Sequence, residues 1–333
     1  MKLAKTLGWR AMVTAVVATG ALGTGAASSS ASVHHRTGES TATSVKTVGI
    51  VDLVESDPLN QEVIKGVTAA ASVKGWHVKV FDANGNADAA NSAFRTYASE
   101  HVNMILDLAF PTTSVRAGLE AARAAHIPVG GWGSGLAPGI LMTTVDDVGL
   151  PSANALLKAM GGPKGSGSVL ALFYTGGQVC RERQAVLLHV LKQAPGVKVD
   201  VQNVTIQATA QGQQFTTAWL ATHPAGSGRL AVWGCWDSPM YGAIAAIRAA
   251  GRHDVMTFSI NGSPPALQDV KNGSLTNEVW ENGYQEGVVV FNTTLAGIDT
   301  LAAHKPWTPK VVAVPGIDLT KKNIDSFLVA KHP

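Results

Sequence analysis

A chain of 333 residues in which 46% of the side chains are hydrophobic and only 15% charged has the composition of a folded protein, not of a disordered tail. It is too long for one small core and suits two lobes behind an N-terminal leader. A net charge of +3, with Lys and Arg scattered along the chain, excludes the basic stripe by which proteins hold nucleic acid or an anionic membrane surface.

The leader comes first. Lys2, Lys5 and Arg10 make a positive start, residues 11–22 are nearly all apolar, and small residues follow, with cleavage sites after Ala27 or Ala31. The apolar run is shorter than the roughly 20 residues that a spanning helix needs. Residues 1–31 are therefore expected to be a signal peptide, and the mature protein to be periplasmic or secreted. No cysteine lies near the cleavage region, so no lipid anchor is expected. Residues 32–46 are polar and aperiodic and read as a disordered linker. Its His34-His35 pair has no further ligands beside it, and no metal role is expected there.

From residue 48, short β-branched runs alternate with helical periodicity. Residues 48–54 predict a buried strand, and 60–74 a helix with Val63, Ile64, Val67, Ala70 and Ala71 on one face. A strand at 77–83, a helix at 87–100 and a strand at 103–110 follow, and Thr113 or Ser114 can cap a helix running to 125. Strands at 128–132 and 141–145 complete this half. After the glycine-rich stretch at 161–168 the pattern restarts. Strands are predicted at 168–174, 197–206, 229–235, 255–260 and 275–280, with helices at 181–193, up to 222, and at 240–250. Strands separated by helices imply parallel sheets with right-handed crossovers. Two α/β units of similar size in one chain imply an internal duplication.

In open α/β sheets, ligands bind beyond the carboxyl ends of the strands at the switch point. Two facing lobes would bring two such ends to one cleft. The residues at those ends are Glu55, Asp57, Phe110, Trp132, Asp146 and Asp147 in the first half, and Tyr174, Arg181, Glu182, Trp236, Asp237, Asn261, Trp280 and Glu281 in the second.

The order of motifs over about residues 47–306 resembles the type I periplasmic binding proteins of the ribose-binding protein family. Asp57-Pro58 stands at the family's polar-Pro turn after the first strand, and Ile127-Pro128-Val129 at the strand before its ligand-clasping loop. Asp146-Asp147 matches the first crossover. Cys180-Arg181-Glu182-Arg183 resembles an Arg-Glu-Arg segment whose first arginine, here Arg181, reaches the ligand. Trp236-Asp237 with Gly242-Ala243, Ile260-Asn261-Gly262 and Glu281 match three further ligand-contacting segments. The chain departs from the ribose pattern where Leu59 and Asn60 replace aromatics, Gly133-Ser134 an Asp-Arg pair, Trp236 an asparagine, Asn261 an aspartate and Glu281 a glutamine.

The resemblance implies an α/β fold of two doubly wound parallel-sheet lobes joined by a three-strand hinge, the periplasmic binding protein type I fold. The lobes are expected at 47–147 plus 282–304 and at 148–281 plus 305–333, with crossings near Asp147, Glu281 and His304 to Trp307. It also implies a monomeric binding component of an ABC transporter, partnered by a membrane permease, whose hinge closes on a sugar or polyol. Sugar sites need planar groups for paired hydrogen bonds and flat aromatics against C–H faces. The expected ligand set is Asp57, Asn60, Phe110, Trp132, Asp147, Arg181, Trp236, Asp237, Asn261, Trp280 and Glu281.

Carboxylates beside tryptophans also suit a cationic or amine ligand, and a sensing subunit for a membrane kinase is a further alternative. Catalysis, cofactors and metals are not expected. Gly133-Ser134-Gly135 with Gly139 lacks dinucleotide-loop spacing, and 161–168 lacks the Gly-Lys-Ser/Thr of a phosphate loop. The hydrolase elbow and the zinc-protease motif are missing. A repressor would carry a helix-turn-helix where the export signal stands. Finally, Cys180 and Cys235 follow neighbouring strands at the switch point of the second half, so an exported chain is expected to join them; two buried thiols are the alternative.

Overall fold

The computed structural model describes residues 45–145 and 147–331. The expected signal peptide, His34-His35 and Asp146 lie outside the described residues. Apolar runs without polar alternation mark strands covered on both faces. The first, β1 (Thr47–Asp52), is buried except at Thr47. Pro58 has no N–H to lose and a φ suited to a first helical turn, and the Asp57 carboxylate accepts the Leu59 N–H at 2.9 Å. Together they start α1 (Pro58–Val73) two residues before the predicted helix. Then come β2 (His77–Asp82), α2 (Ala87–Ser99), β3 (Met104–Leu108), α3 (Arg116–Ala124), β4 (Val129–Trp132) and β5 (Ile140–Val145).

The second half runs α4 (Gly149–Ala159), β6 (Ser166–Phe173), α5 (Gln178–Leu191), β7 (Gly196–Asn203), α6 (Ala208–Thr222), β8 (Leu230–Gly234), α7 (Asp237–Ala249), β9 (Val255–Asn261), α8 (Pro264–Asn272) and β10 (Asn277–Trp280). The chain then returns. Helix α9 (Gly283–Ala302) packs on α1 with main chain against main chain: a Cβ on Gly66 would overlap the Tyr284 carbonyl, and one on Gly287 the Val63 carbonyl. The last elements are β11 (Lys310–Ala313), β12 (Ile317–Leu319) and α10 (Ile324–Lys331).

The sheets are ordered β11-β5-β4-β3-β1-β2 and β12-β10-β9-β8-β6-β7. Among the described residues all pairings are parallel except β10 with β12. Removing β11 and β12 leaves the same doubly wound order twice, as the repeated pattern predicts, with the switch points between β1 and β3 and between β6 and β8. Lobe 1 has a continuous core, and lobe 2 has one core on each face of its sheet.

The chain crosses between lobes from β5 to α4, from β10 to α9, and from β11 to β12. The first two crossings fall between β5 and α4 and between β10 and α9. The third does not lie at 304–307. Residues 310–313 pair in register with 142–145 of β5, and the Trp307 indole N–H donates to the Leu141 carbonyl at 2.9 Å, so this segment stays in lobe 1. The boundary expected at 304/305 therefore moves to 313–317. Among the described residues no helix is long and apolar enough to cross a membrane.

Candidate functional site

The carboxyl ends of the two sheets face each other across a cavity of about 110 Å³, well above the roughly 10–15 Å³ that a single water needs. Lobe 1 contributes Leu53, Val54, Ser56, Asp57, Leu59, Asn60, Ala109 and Trp132. Lobe 2 contributes Tyr174, Gly177, Val179, Cys180, Arg183, Ile206, Trp236, Ser238 and Asn261. The lobes meet beside it, where the Gln178 N–H at the start of α5 donates to the Ala109 carbonyl at 2.8 Å. Ala109 has a φ of 70°, in the left-handed region that costs a residue with a Cβ energy.

Arg183 is the polar centre of lobe 2. Its side chain is 1% exposed, and its guanidinium donates to the Cys235 carbonyl at 2.8 Å, to Asn261 Oδ1 at 2.8 Å and to Glu281 Oε1 at 2.5 Å. A buried charge is tolerated only when paired and hydrogen-bonded, and Glu281 supplies the countercharge from behind the cavity wall. Asn261 ends β9 with a φ of 122°. Its turn is pinned by Asp237, which accepts from Ser263 N–H at 2.9 Å, Ser263 Oγ at 2.5 Å and Ser259 Oγ at 2.8 Å. Burial pushes the Asp237 carboxyl above its ordinary value, and the serine donors pull it back.

On the lobe 1 side, burial raises Asp57 to about 6, against the opposing pull of the Leu59 N–H. The Asn60 amide donates to Asp52 Oδ1 at 2.8 Å, and burial raises Asp52 to about 7. Trp132 is buried, with its indole N–H on Glu286 Oε2 at 2.7 Å. Trp236 is half-buried and leans on Tyr174, with ring centroids 5.3 Å apart. The cavity thus has amide, carboxyl and guanidinium groups between two indoles and a phenol. Among the described residues no group of three or more His, Cys, Asp or Glu side chains converges as metal ligands.

Of the eleven residues of the expected ligand set, Asp57, Asn60, Trp132, Trp236 and Asn261 line the cavity. Six do not. Phe110 is 1% exposed in the lobe 1 core. Asp147 is exposed at the first crossing. Asp237 and Glu281 are buried behind the wall and hold Asn261's turn and Arg183 respectively. Trp280 packs on Phe327 at 5.1 Å, with the Lys331 ammonium 3.9 Å over its ring. Arg181 turns away, its Nε donating to the Thr175 carbonyl at 2.6 Å.

The arginine on the cavity is Arg183, not Arg181. The reason is helical phase. Cys180 and Cys235 are joined, as expected, and that bond fixes the inward face of α5. Position 183 is three residues on and shares the face, whereas 181 is about 100° round the helix. That spacing was readable in the sequence once Cys180 was placed inward. Tyr174 was readable as the end of β6. Val179 and Ile206, on the lobe 2 rim, carried no signal.

Residues 48–300 match the family described as "Periplasmic binding protein domain". No curated protein sequence matches the chain. Among solved structures, an ABC sugar transporter subunit from Rhodobacter sphaeroides aligns over 84% of this chain and 99% of its own, with a TM-score of 0.74 and 22% identity. An ABC transporter solute-binding protein from Agrobacterium vitis with bound allitol aligns over 86% and 98%, with a TM-score of 0.76 and 23% identity. Another from Bacillus halodurans, with bound myo-inositol, aligns over 85% and 97%, with a TM-score of 0.73 and 17% identity.

Proposed function

The chain belongs to the periplasmic binding protein domain family, and from that premise we propose that it is the extracytoplasmic solute-binding component of an ABC transporter. Its ligand is a neutral sugar or polyol, held between the lobes and passed to a membrane permease. The observation that carries the ligand class is the Arg183–Glu281 pair. The guanidinium meets its countercharge inside lobe 2, so the cavity wall it forms is already balanced in charge. A neutral ligand suits a wall whose charge is already balanced, while a phosphate or carboxylate would compete with Glu281 for the same cation. Trp132 and Trp236 offer flat apolar faces for the C–H side of a ring or chain. The bound allitol and myo-inositol of two structural neighbours are neutral polyols, which supports the same class.

The three crossings are the hinge. A ligand that touches Asp57 and Asn60 on one lobe and Asn261 on the other binds the closed form better than the open one, and so selects it. The protein acts by capture and not by catalysis, on the periplasmic side of the membrane, as a monomer.

A thermal-shift screen of pentoses, hexoses, allitol, myo-inositol, sugar acids and polyamines tests the ligand class, since a ligand of the native state raises the melting temperature by mass action. A shift with neutral sugars or polyols is expected. A shift confined to amines or sugar acids would refute the ligand class and leave the fold intact.

A further inference from the structure

The two cysteines sit where the cavity is built. Cys180, in the first turn of α5, lines the cavity, and Cys235 follows the last residue of β8, with Cα atoms 5.4 Å apart. Cys180 and Arg183 share a helical face, and Cys235 is followed directly by Trp236. The disulfide is therefore a short covalent path from the helix that carries the arginine to the strand end that carries the indole. Side-chain hydrogen bonds tie the same junction: Arg183 to the Cys235 carbonyl at 2.8 Å, Gln184 to Cys235 Sγ at 3.8 Å, and Gln184 to the Tyr174 carbonyl at 3.1 Å. A bond that served only to restrict the unfolded chain could lie anywhere along it. This one is buried at both ends, 3% and 0% exposed, and forms part of the cavity wall.

We propose, resting on the ligand-site reading, that the Cys180–Cys235 disulfide is a positioning element of the site: it fixes Arg183 against Trp236, and bound ligand shields it from thiols. Cys180 is the half of the bond that borders the cavity, so an occupied cavity closes the approach of a reductant. Linkage demands the same coupling from the other side. If the reduced protein binds ligand more weakly, ligand must favour the oxidised form by the same factor.

The test compares the full chain with its Cys180→Ala/Cys235→Ala variant, or with Cys180→Val/Cys235→Ala should the first not fold. In the ligand-free proteins, amide exchange at 178–184 and 235–241 is expected to quicken in the variant by at least about tenfold more than exchange in β1 and β3 of lobe 1. Titration with allitol, myo-inositol and D-allose is expected to show affinity weakened by about tenfold or more. In the wild type, reduction by dithiothreitol should slow as ligand fills the site. That step moves two electrons and two protons from the dithiol to the cysteine pair, and the reagent closes to its cyclic disulfide. A lower melting temperature with exchange raised evenly through the protein, or an affinity within about twofold of wild type, would overturn the positioning role. If none of the three compounds binds either form, the ligand reading has failed, and the exchange pattern alone decides the role of the bond.

Discussion

Replacing Arg183 by alanine separates the site described here from one centred on Arg181. The guanidinium and the Glu281 carboxylate are 1% and 4% exposed and 2.5 Å apart. Deleting one partner of such a buried pair leaves the other charge in a medium that solvates it poorly, at a cost of about 3–5 kcal/mol. Melting temperature should fall by roughly 10 °C. Loss of a charged hydrogen-bonding group from a closed site typically costs about 2–5 kcal/mol of binding, so affinity for whichever polyol shifts the wild type should weaken by at least about tenfold. Arg181→Ala removes a half-buried side chain bonded to the Thr175 carbonyl and should change either quantity by less than about 1 kcal/mol. Arg183→Met with Glu281→Met removes both charges and refills the space, so it should recover stability without recovering affinity. Thermal melts and calorimetric titration of the four proteins read both effects. If Arg181→Ala abolishes binding while Arg183→Ala retains it, the helical-phase assignment is wrong.

Asp57→Asn should flatten the stability profile below neutrality. The folded carboxyl sits at about 6 against an ordinary 3.8, so the unfolded chain gives up this proton first, and wild-type stability falls as pH rises between those values. Asparagine caps helices as well as aspartate does, so the variant should lack that fall and be the more stable protein at pH 7; melts from pH 4 to 7 measure it. Reducing the disulfide, which closes a separation of 55 residues, should cost about 4 kcal/mol by the chain-entropy relation, read from denaturant midpoints with and without reductant. Trp219, 6% exposed and stacked on His223 at 4.3 Å, lies away from the cavity, so Trp219→Ala should lower stability by about 3–5 kcal/mol and leave affinity unchanged. Small-angle scattering should show a smaller radius of gyration on saturation with a polyol, and an unchanged radius would count against hinge closure.

The alternation of strands and helices was legible because the parallel strands are covered on both faces and must be apolar throughout, as β1 and β3 are. The third crossing was not, because β11 is a largely exposed edge strand without alternation, and only its partner β5 assigns it to lobe 1. At the site, strand ends found Trp132, Trp236 and Asn261, since a side chain leaving the end of a parallel strand points into the cleft. They also offered residues whose chemistry is used elsewhere. Phe110 follows Ala109, whose left-handed turn leaves Ala109 on the cavity while Phe110 lies in the lobe 1 core. Asp237 is taken up by two serines. Trp280 is covered by Phe327 and Lys331 from α10, a helix the periodicity did not predict.

The order in which the chain returns to lobe 1 also sets the order in which the lobes can be completed during synthesis. Every strand of lobe 2 except β12 lies between residues 166 and 280, so that sheet can assemble from one contiguous stretch. Lobe 1 begins first but cannot finish. Its core includes Val290 and Phe291, both fully buried, and its edge is closed by the pairing of Lys310 with Met142. Contacts so distant in sequence are slow to form, because the loop between them must be ordered before they are made. The half of the protein made first therefore waits, with the apolar face of α1 uncovered, until α9 has emerged. A chain truncated after β10 would retain the second sheet apart from its edge strand β12, and a first lobe without α9 or β11.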